Sequence, residues 1–233
     1  MKDRPADQTR PIRLELGYTD ATPGSVLISM GETRVLCTAA IETEVPRWMR
    51  DANKGWVTAE YGMLPGSSPQ RVSRDHISGG RAKEISRLIG RSLRAAVNMA
   101  AMPELMVRVD CDVIQADGGT RTAAVTGGWI ALHQALSFGV SEGLIDAVPI
   151  VDEVAAISVG IVDGVPHLDL DYQLDVNADV DMNVVMSGRG LLVELQGTAE
   201  QAPFTRDELD VLLDLATKGI GELHELQREA VAG

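Results

Sequence analysis

The stretch from Leu105 to Phe138 constrains the fold of this chain more than any other. It passes from strand-like alternation through a glycine pair to a helical repeat. Over Leu105 to Gln115, Val107, Val109, Cys111 and Val113 fall on one face, and Arg108, Asp110 and Asp112 on the other. That is the pattern of a half-buried strand. From Thr122 to Phe138, Val125, Trp129, Leu132 and Leu136 recur at helical spacing. Between them lies Gln115-Ala-Asp-Gly-Gly-Thr-Arg121, so Gly118 and Gly119 are expected to turn a strand into a helix. Glycines permit positive φ and close backbone approach, and the amide groups opening a helix attract anions. Arg121 adds a forked donor suited to phosphate. The same residues also describe an ordinary glycine turn, a Thr cap and a surface arginine, and spacing alone favours that plainer reading. The lysine-bearing phosphate loop of NTPases is absent.

The rest of the chain supplies strands in pairs and a few long helices. Residues 12–17 alternate. Residues 24–30 and 33–41 read as a hairpin around Gly31-Glu32, and another extended segment runs near Trp56–Met63. Gly66 to Gly80 mixes Pro69, serines, glycines and basic residues, which predicts an exposed loop. A helix is predicted over Arg81–Ala101, with Ile85, Leu88, Ile89, Ser92, Leu93 and Ala96 inward. Lys83, Arg87, Arg91 and Arg94 then form a solvated stripe. Arg81, beside the apolar face and after Gly79-Gly80, is expected to be enclosed or directed at a site. Val154–Val162 and Val165–Leu174 read as a hairpin closed by Asp163-Gly164. Met182–Met186 and Leu191–Gln196 form another, turning at Gly188-Arg-Gly190. A last helix over Thr205–Ala230 opens with the capping-box-like Thr205-Arg-Asp-Glu208. No linker divides residues 1–233. The expectation is a single α+β, or mixed α/β layered, domain whose halves each run from strands to helix, a hint of duplication.

The net charge of −13 argues against a polyanion partner only until its distribution is considered. Arg71, Arg74, Arg81, Lys83, Arg87, Arg91 and Arg94 crowd residues 71–94 against Asp75 and Glu84, and Arg47, Arg50 and Lys54 make a second basic patch. With three Trp, three Tyr and two Phe in the chain, base stacking cannot dominate. Any nucleic-acid binding should be directed at the backbone. No apolar run is long enough for a membrane span, and Met1–Arg10 lacks the apolar core of a signal peptide. Cys37 and Cys111 both lie in strand patterns, as expected of buried reduced thiols in a cytoplasmic protein.

A second chemical feature is acidic. His167 to Asp175 alternates, so Leu168, Leu170, Tyr172 and Leu174 are expected inward and Asp169, Asp171, Gln173 and Asp175 outward, with Asp179 and Asp181 following a short turn. Carboxylates at a strand end can hold a hard divalent cation through oxygen. A solvated acidic edge is the commoner meaning of such a pattern. Against it, five aspartates within thirteen residues repel one another unless something compensates them.

Asp110-Cys-Asp-Val-Ile-Gln-Ala-Asp-Gly-Gly-Thr-Arg-Thr122 closely resembles the central motif of the ribonuclease PH family of phosphorolytic 3′-exoribonucleases, to which polynucleotide phosphorylase and exosome ring subunits also belong. Other blocks agree in order: Gly24-Ser-Val-Leu27, Val35-Leu-Cys-Thr38, Val45-Pro-Arg47, Gly55-Trp-Val-Thr-Ala-Glu-Tyr-Gly-Met-Leu-Pro65, Asp181-Met-Asn-Val-Val-Met186 and Gln196-Gly-Thr-Ala-Glu200. The resemblance implies the family's fold and a phosphate-dependent trimming of tRNA-precursor or other RNA 3′ ends that releases nucleoside diphosphates. It implies phosphate held by Gly119, Thr120, Arg121 and Arg81, Mg²⁺ near Asp175 and Asp181, and Asp181 as proton donor. Its acidic neighbours would raise the Asp181 pKa. RNA contacts are expected at Arg47, Arg71, Arg74 and Arg81, and the family implies a ring of six built from dimers. Two departures stand out: a shorter, less basic loop over Pro65–Gly79, and an altered opening over Met1–Arg10. The rival readings are a catalytically silent RNA-binding ring or scaffold subunit, and a hydrolytic metal nuclease.

Overall fold

The structure is a computed structural model that describes residues 4–74, 79–201 and 203–232. Part of the expected basic loop, residues 75–78, lies outside them, as do the first three residues of the altered opening. Two sheets form the frame. The first contains β1 (Ile12–Leu16), β2 (Gly24–Met30), β3 (Thr33–Glu42), β4 (Trp56–Met63) and β5 (Met106–Gln115), in the order β1-β2-β3-β5-β4. All neighbours are antiparallel except β4 and β5, whose parallel pairing needs the crossover through α1 (Gly80–Ala95). The second sheet, β7-β6-β8-β9, is antiparallel and is built from β6 (Val154–Val162), β7 (Val165–Leu168), β8 (Val180–Ser187) and β9 (Leu192–Ala199). Helix α2 (Thr120–Ser141) follows β5, and α4 (Arg206–Ala232) closes the chain. The mixed α/β layering expected from the sequence is what the chain adopts.

Helix α2 packs on β2, β3 and β5 of the first sheet and on β6 of the second. The expected single stripe therefore becomes a helix buried on almost every side from Thr122 to Leu132, as a helix between two sheets must be. Its glycines let the sheet approach: a methyl on Gly127 would sit 2.7 Å from Ile28 Cγ2 and 2.9 Å from Cys37 Sγ. Cys37 and Cys111 face each other across β3 and β5, both buried and both free thiols.

Three local expectations change. Helix α1 ends at Ala95, and residues 99–101 form a separate 3₁₀ turn. The basic stripe of α1 is not uniformly solvated. Arg94 donates to the Val57 carbonyl at 2.9 Å and lies 4.4 Å above the Trp56 ring, while Arg91 pairs with Glu194 of β9 at 2.6 Å. The largest change is at 169–177. Strand β7 stops at Leu168, Asp169 turns left-handed at φ 56°, and Asp171 caps a short helix, α3 (Tyr172–Asn177), by accepting from the Leu174 amide at 3.0 Å. Aspartate tolerates the left-handed region and is a favoured cap, so the bend is open to both residues despite the two-residue alternation. Asp169 is consequently buried and Tyr172 exposed, the reverse of the expectation.

Candidate active site

The turn after β5 is held from beneath. Thr33, fully buried, accepts from the Asp117 amide at 2.9 Å and donates to the Gly118 carbonyl at 2.6 Å. Gly118 and Gly119 both sit at positive φ, 71° and 66°, where a side chain would be strained. Helix α2 starts at once, and no side chain caps its first amides. Thr120 is not free either: its hydroxyl meets that of Tyr61 at 2.8 Å. Tyr61 is 2% exposed, and burial raises its phenol pKa.

Beyond this turn opens a cleft of about 880 Å³ between the halves of the chain. Arg81 enters it from α1, Arg121 from α2, Asp175 from α3, Asp181 and Asn183 from β8, and Gln196 and Thr198 from β9. Glu84 and Glu200 complete its charged lining. Arg81 is exposed rather than enclosed, but it is directed into the cleft. The Arg121 side chain, 21% exposed, donates to Gln196 Oε1 at 3.3 Å and lies 3.9 Å from Glu84. Gly119 and Thr120 form the adjoining helix start and do not line the cleft itself.

Among the described residues, neither Asp175 nor Asp181 accepts a side-chain hydrogen bond or ion pair. Asp175 is exposed as a residue, yet partial desolvation of its carboxyl in the cleft lifts it above its ordinary range, while Arg121 and Arg81 pull it down. Burial also leads at Asp181, with repulsion from Asp175 next, and together they push it up to about 6 against the opposing pull of the two arginines. Desolvation is thus a larger cause than the acidic neighbours invoked from sequence. Two unpaired carboxylates on adjoining elements offer hard oxygen donors, and the donor set fits a Mg²⁺ that retains most of its waters. No group of three His, Cys, Asp or Glu among the described residues could cage a metal by itself.

Arg47, Arg71 and Arg74 are exposed, and none lines the cleft. Arg47 opens a 3₁₀ turn whose Trp48 is 67% exposed and stands edge-on to Trp56, with centroids 4.9 Å apart. Sequence reasoning gave no role to Glu84, to Tyr61 or to Trp48. The Val45-Pro-Arg47 and Gly55–Pro65 blocks mark the neighbourhood of the latter two.

The family model described as 3′ exoribonuclease family, domain 1, matches residues 8–136, and that for domain 2 matches residues 152–219. Ribonuclease PH of Brucella ovis and that of Brucella suis are each 54% identical to the chain over 233 residues, covering 98% of it and 98% of their own length. The chain belongs to the ribonuclease PH family. Its fold is also that of two more distant solved structures. One is an Archaeoglobus fulgidus exosome with RNA bound to the active site (TM-score 0.82, 19% identity, 97% of this chain and 91% of that one). The other is rice (Oryza sativa) Rrp46 (TM-score 0.81, 16% identity, 100% and 99%). Within the ribonuclease PH fold, the cleft lies where the two matched halves meet, because α1 and α2 come from the first and α3, β8 and β9 from the second.

Proposed function

We propose that this ribonuclease PH-family chain is a phosphate-dependent 3′-to-5′ exoribonuclease whose reaction centre is the cleft between its two halves. The carrying observation is the convergence of Arg81 and Arg121 with the unpaired carboxylates of Asp175 and Asp181, beside the open N-terminus of α2. A hydrolytic nuclease would use the carboxylates but has no need of an anion site for its nucleophile. A silent ring subunit has no need of either. Residues 1–233 act as one catalytic unit in this reading, because neither half supplies the lining alone.

Phosphorolysis brings a phosphate dianion against an anionic phosphodiester, so crowded negative charge is the main obstacle. The amides at Gly119 and Thr120 and the Arg121 fork hold the nucleophile. Arg81 shares it or grips the terminal RNA phosphate. A phosphate oxygen attacks the last phosphorus, the bond to the 3′-oxygen of the preceding ribose breaks, and Asp181 donates its proton to that oxygen. The products are a nucleoside diphosphate and an RNA one residue shorter. Asp175 and Asp181 would hold Mg²⁺, which supplies charge compensation at the transferring phosphoryl group. Without the cation, burial and the neighbouring Asp175 raise the Asp181 carboxyl to about 6, the direction a proton donor working near neutral pH requires.

The RNA body, in this reading a tRNA precursor, rests on Arg47, Arg71 and Arg74. The exposed apolar side chains at Leu191 and Leu192, where the edge strand β9 begins, suit burial in an assembly, which we take to be a homohexamer. The paired free thiols suit a reducing, cytoplasmic setting. Among the described residues, no helix is long and apolar enough to cross a membrane. The test is to incubate a 3′-tailed RNA with Mg²⁺, with and without phosphate, and identify the nucleotide released. Diphosphates formed only with phosphate are expected; monophosphates formed without it would overturn the reading.

A further inference from the structure

Outside the cleft, every guanidinium nitrogen of Arg10 is engaged. Its side chain is 1% exposed, and it grips the carboxylate of Asp169, itself fully buried. Arg10 Nε donates to Oδ2 at 2.9 Å, Nη2 to Oδ1 at 2.7 Å, and the Arg10 amide to Oδ2 at 2.8 Å. The remaining arm, Nη1, donates to the carbonyl of Asp117 in the glycine turn. Asp169 is the residue that ends β7 at positive φ and aims the chain into α3. One ion pair therefore touches both the turn that opens α2 and the bend that places Asp175.

The two segments are also in direct contact. A methyl on Gly118 would lie 2.5 Å from the Leu170 carbonyl oxygen and 2.7 Å from the Asp171 carbonyl carbon. One on Gly119 would lie 3.0 Å from Arg10 Nη2. The Tyr172 amide, first in α3, donates to the Asp117 carboxylate at 3.4 Å. Arg4 reinforces the bend by donating to the Leu168 and Asp169 carbonyls at 2.9 and 2.8 Å. Thr33 holds the same turn from its other side.

We propose that Arg10 and Asp169 are positioning residues for phosphorolysis, setting the spacing between the phosphate-holding start of α2 and the carboxylate-bearing α3. The inference rests on the reading of the cleft as the phosphorolytic centre. Neither residue lines the cleft, so both act through the backbone they hold. A buried ion pair is a poor device for stability alone, since well-packed apolar groups serve as well. A bidentate pair that also bonds the Asp117 carbonyl does what apolar groups cannot: it fixes direction. The altered opening of the chain thus supplies a side chain on which the site depends.

The test compares Asp169→Asn, which keeps shape and loses charge, with Thr33→Val, which loosens the same turn without unpairing a buried charge. Circular dichroism and melting establish the folded fraction, and steady-state rates at well below each melting temperature give KM for phosphate, KM for RNA and kcat. Misplacing a bound reactant costs up to about 100-fold, so phosphate KM is expected to rise about 10-fold or more, with RNA KM within about two-fold of wild type. Arg10→Lys, which keeps the charge without the fork, should fall between. A pair that only stabilises the fold would lower kcat with the folded fraction and leave phosphate KM alone, and that result would overturn the proposal. If Asp169→Asn does not fold, Arg10→Lys, which keeps a buried cation beside Asp169, decides by the same criterion. Wild-type activity in Asp181→Asn would instead sink the reading of the cleft. Loss in Asp181→Asn with unchanged phosphate KM in Asp169→Asn and Thr33→Val would sink the positioning role alone.

Discussion

Asp181→Asn should make the protein more stable and nearly inactive at the same time. Burial and Asp175 push the Asp181 carboxyl from its ordinary 3.8 up to about 6. At about 1.4 kcal/mol per tenfold, holding it ionised in the fold costs up to about 3 kcal/mol. The sign follows from the direction. A folded-state value raised above the unfolded one favours the fold below the unfolded value, and that advantage is lost as pH rises through the folded value. Asparagine never ionises, so it escapes this loss. The stability gain should be about 3 kcal/mol at pH 8, about half that at pH 5, and near zero below 3.8. Urea unfolding with chelator and without phosphate, at pH 8 and at pH 5, reads the difference directly. Initial rates should meanwhile fall about 10²–10⁴-fold, in trimming and in the reverse addition of nucleotides alike, because one acid serves both directions. A variant no more stable than wild type at pH 8, or a gain that does not change with pH, would refute the electrostatic account. Normal trimming would refute the catalytic one.

Arg121→Ala should raise the phosphate requirement far more than the RNA requirement, and Arg121→Lys should rescue little because it lacks the fork; rate against phosphate concentration for the three proteins decides it. Replacing the exposed Arg71 and Arg74 with Ala should weaken binding of long RNA and flatten its salt dependence, with turnover at saturating RNA nearly unchanged. A collapse of turnover at unchanged affinity would reverse that assignment. Gly118→Ala places a methyl 2.5 Å from the Leu170 carbonyl at a φ of 71°, and should lower stability by about 1–3 kcal/mol from the backbone alone, seen as a drop in melting temperature. A melting temperature equal to wild type would mean that the turn has room to relax.

Features set by near neighbours were legible in the chain. The β5 alternation, the glycine pair and the helix after it needed only local periodicity and the steric freedom of glycine. The Asp163-Gly164 turn, both residues at positive φ, was equally local. Asp175, Asp181, Arg81 and Arg121 were found through motif resemblance, and the structure brings all four into one cleft. The aspartates at 169 and 171 were misread because a strict alternation of apolar and acidic residues looks the same in a strand and in a strand that bends into a capped helix. What broke the tie was Arg10, more than 150 residues away along the chain, which no periodicity could connect to Asp169.

The sequence by itself determined most of the strands, the three long helices, the glycine turns and the residue types the chemistry requires, since these follow from side-chain pattern and backbone sterics over a few residues. Only the tertiary structure decided which of five aspartates meets an arginine and which stays unpaired. It also decided that α2 is buried between two sheets and that Asp181 is held near pH 6. Those outcomes depend on desolvation and on charges arriving from separate elements: Arg81 from α1, Arg121 from α2, Asp175 from α3 and Glu200 just past β9. Both effects are functions of distance in space, and the order of residues does not encode that distance until the core has brought the two halves together.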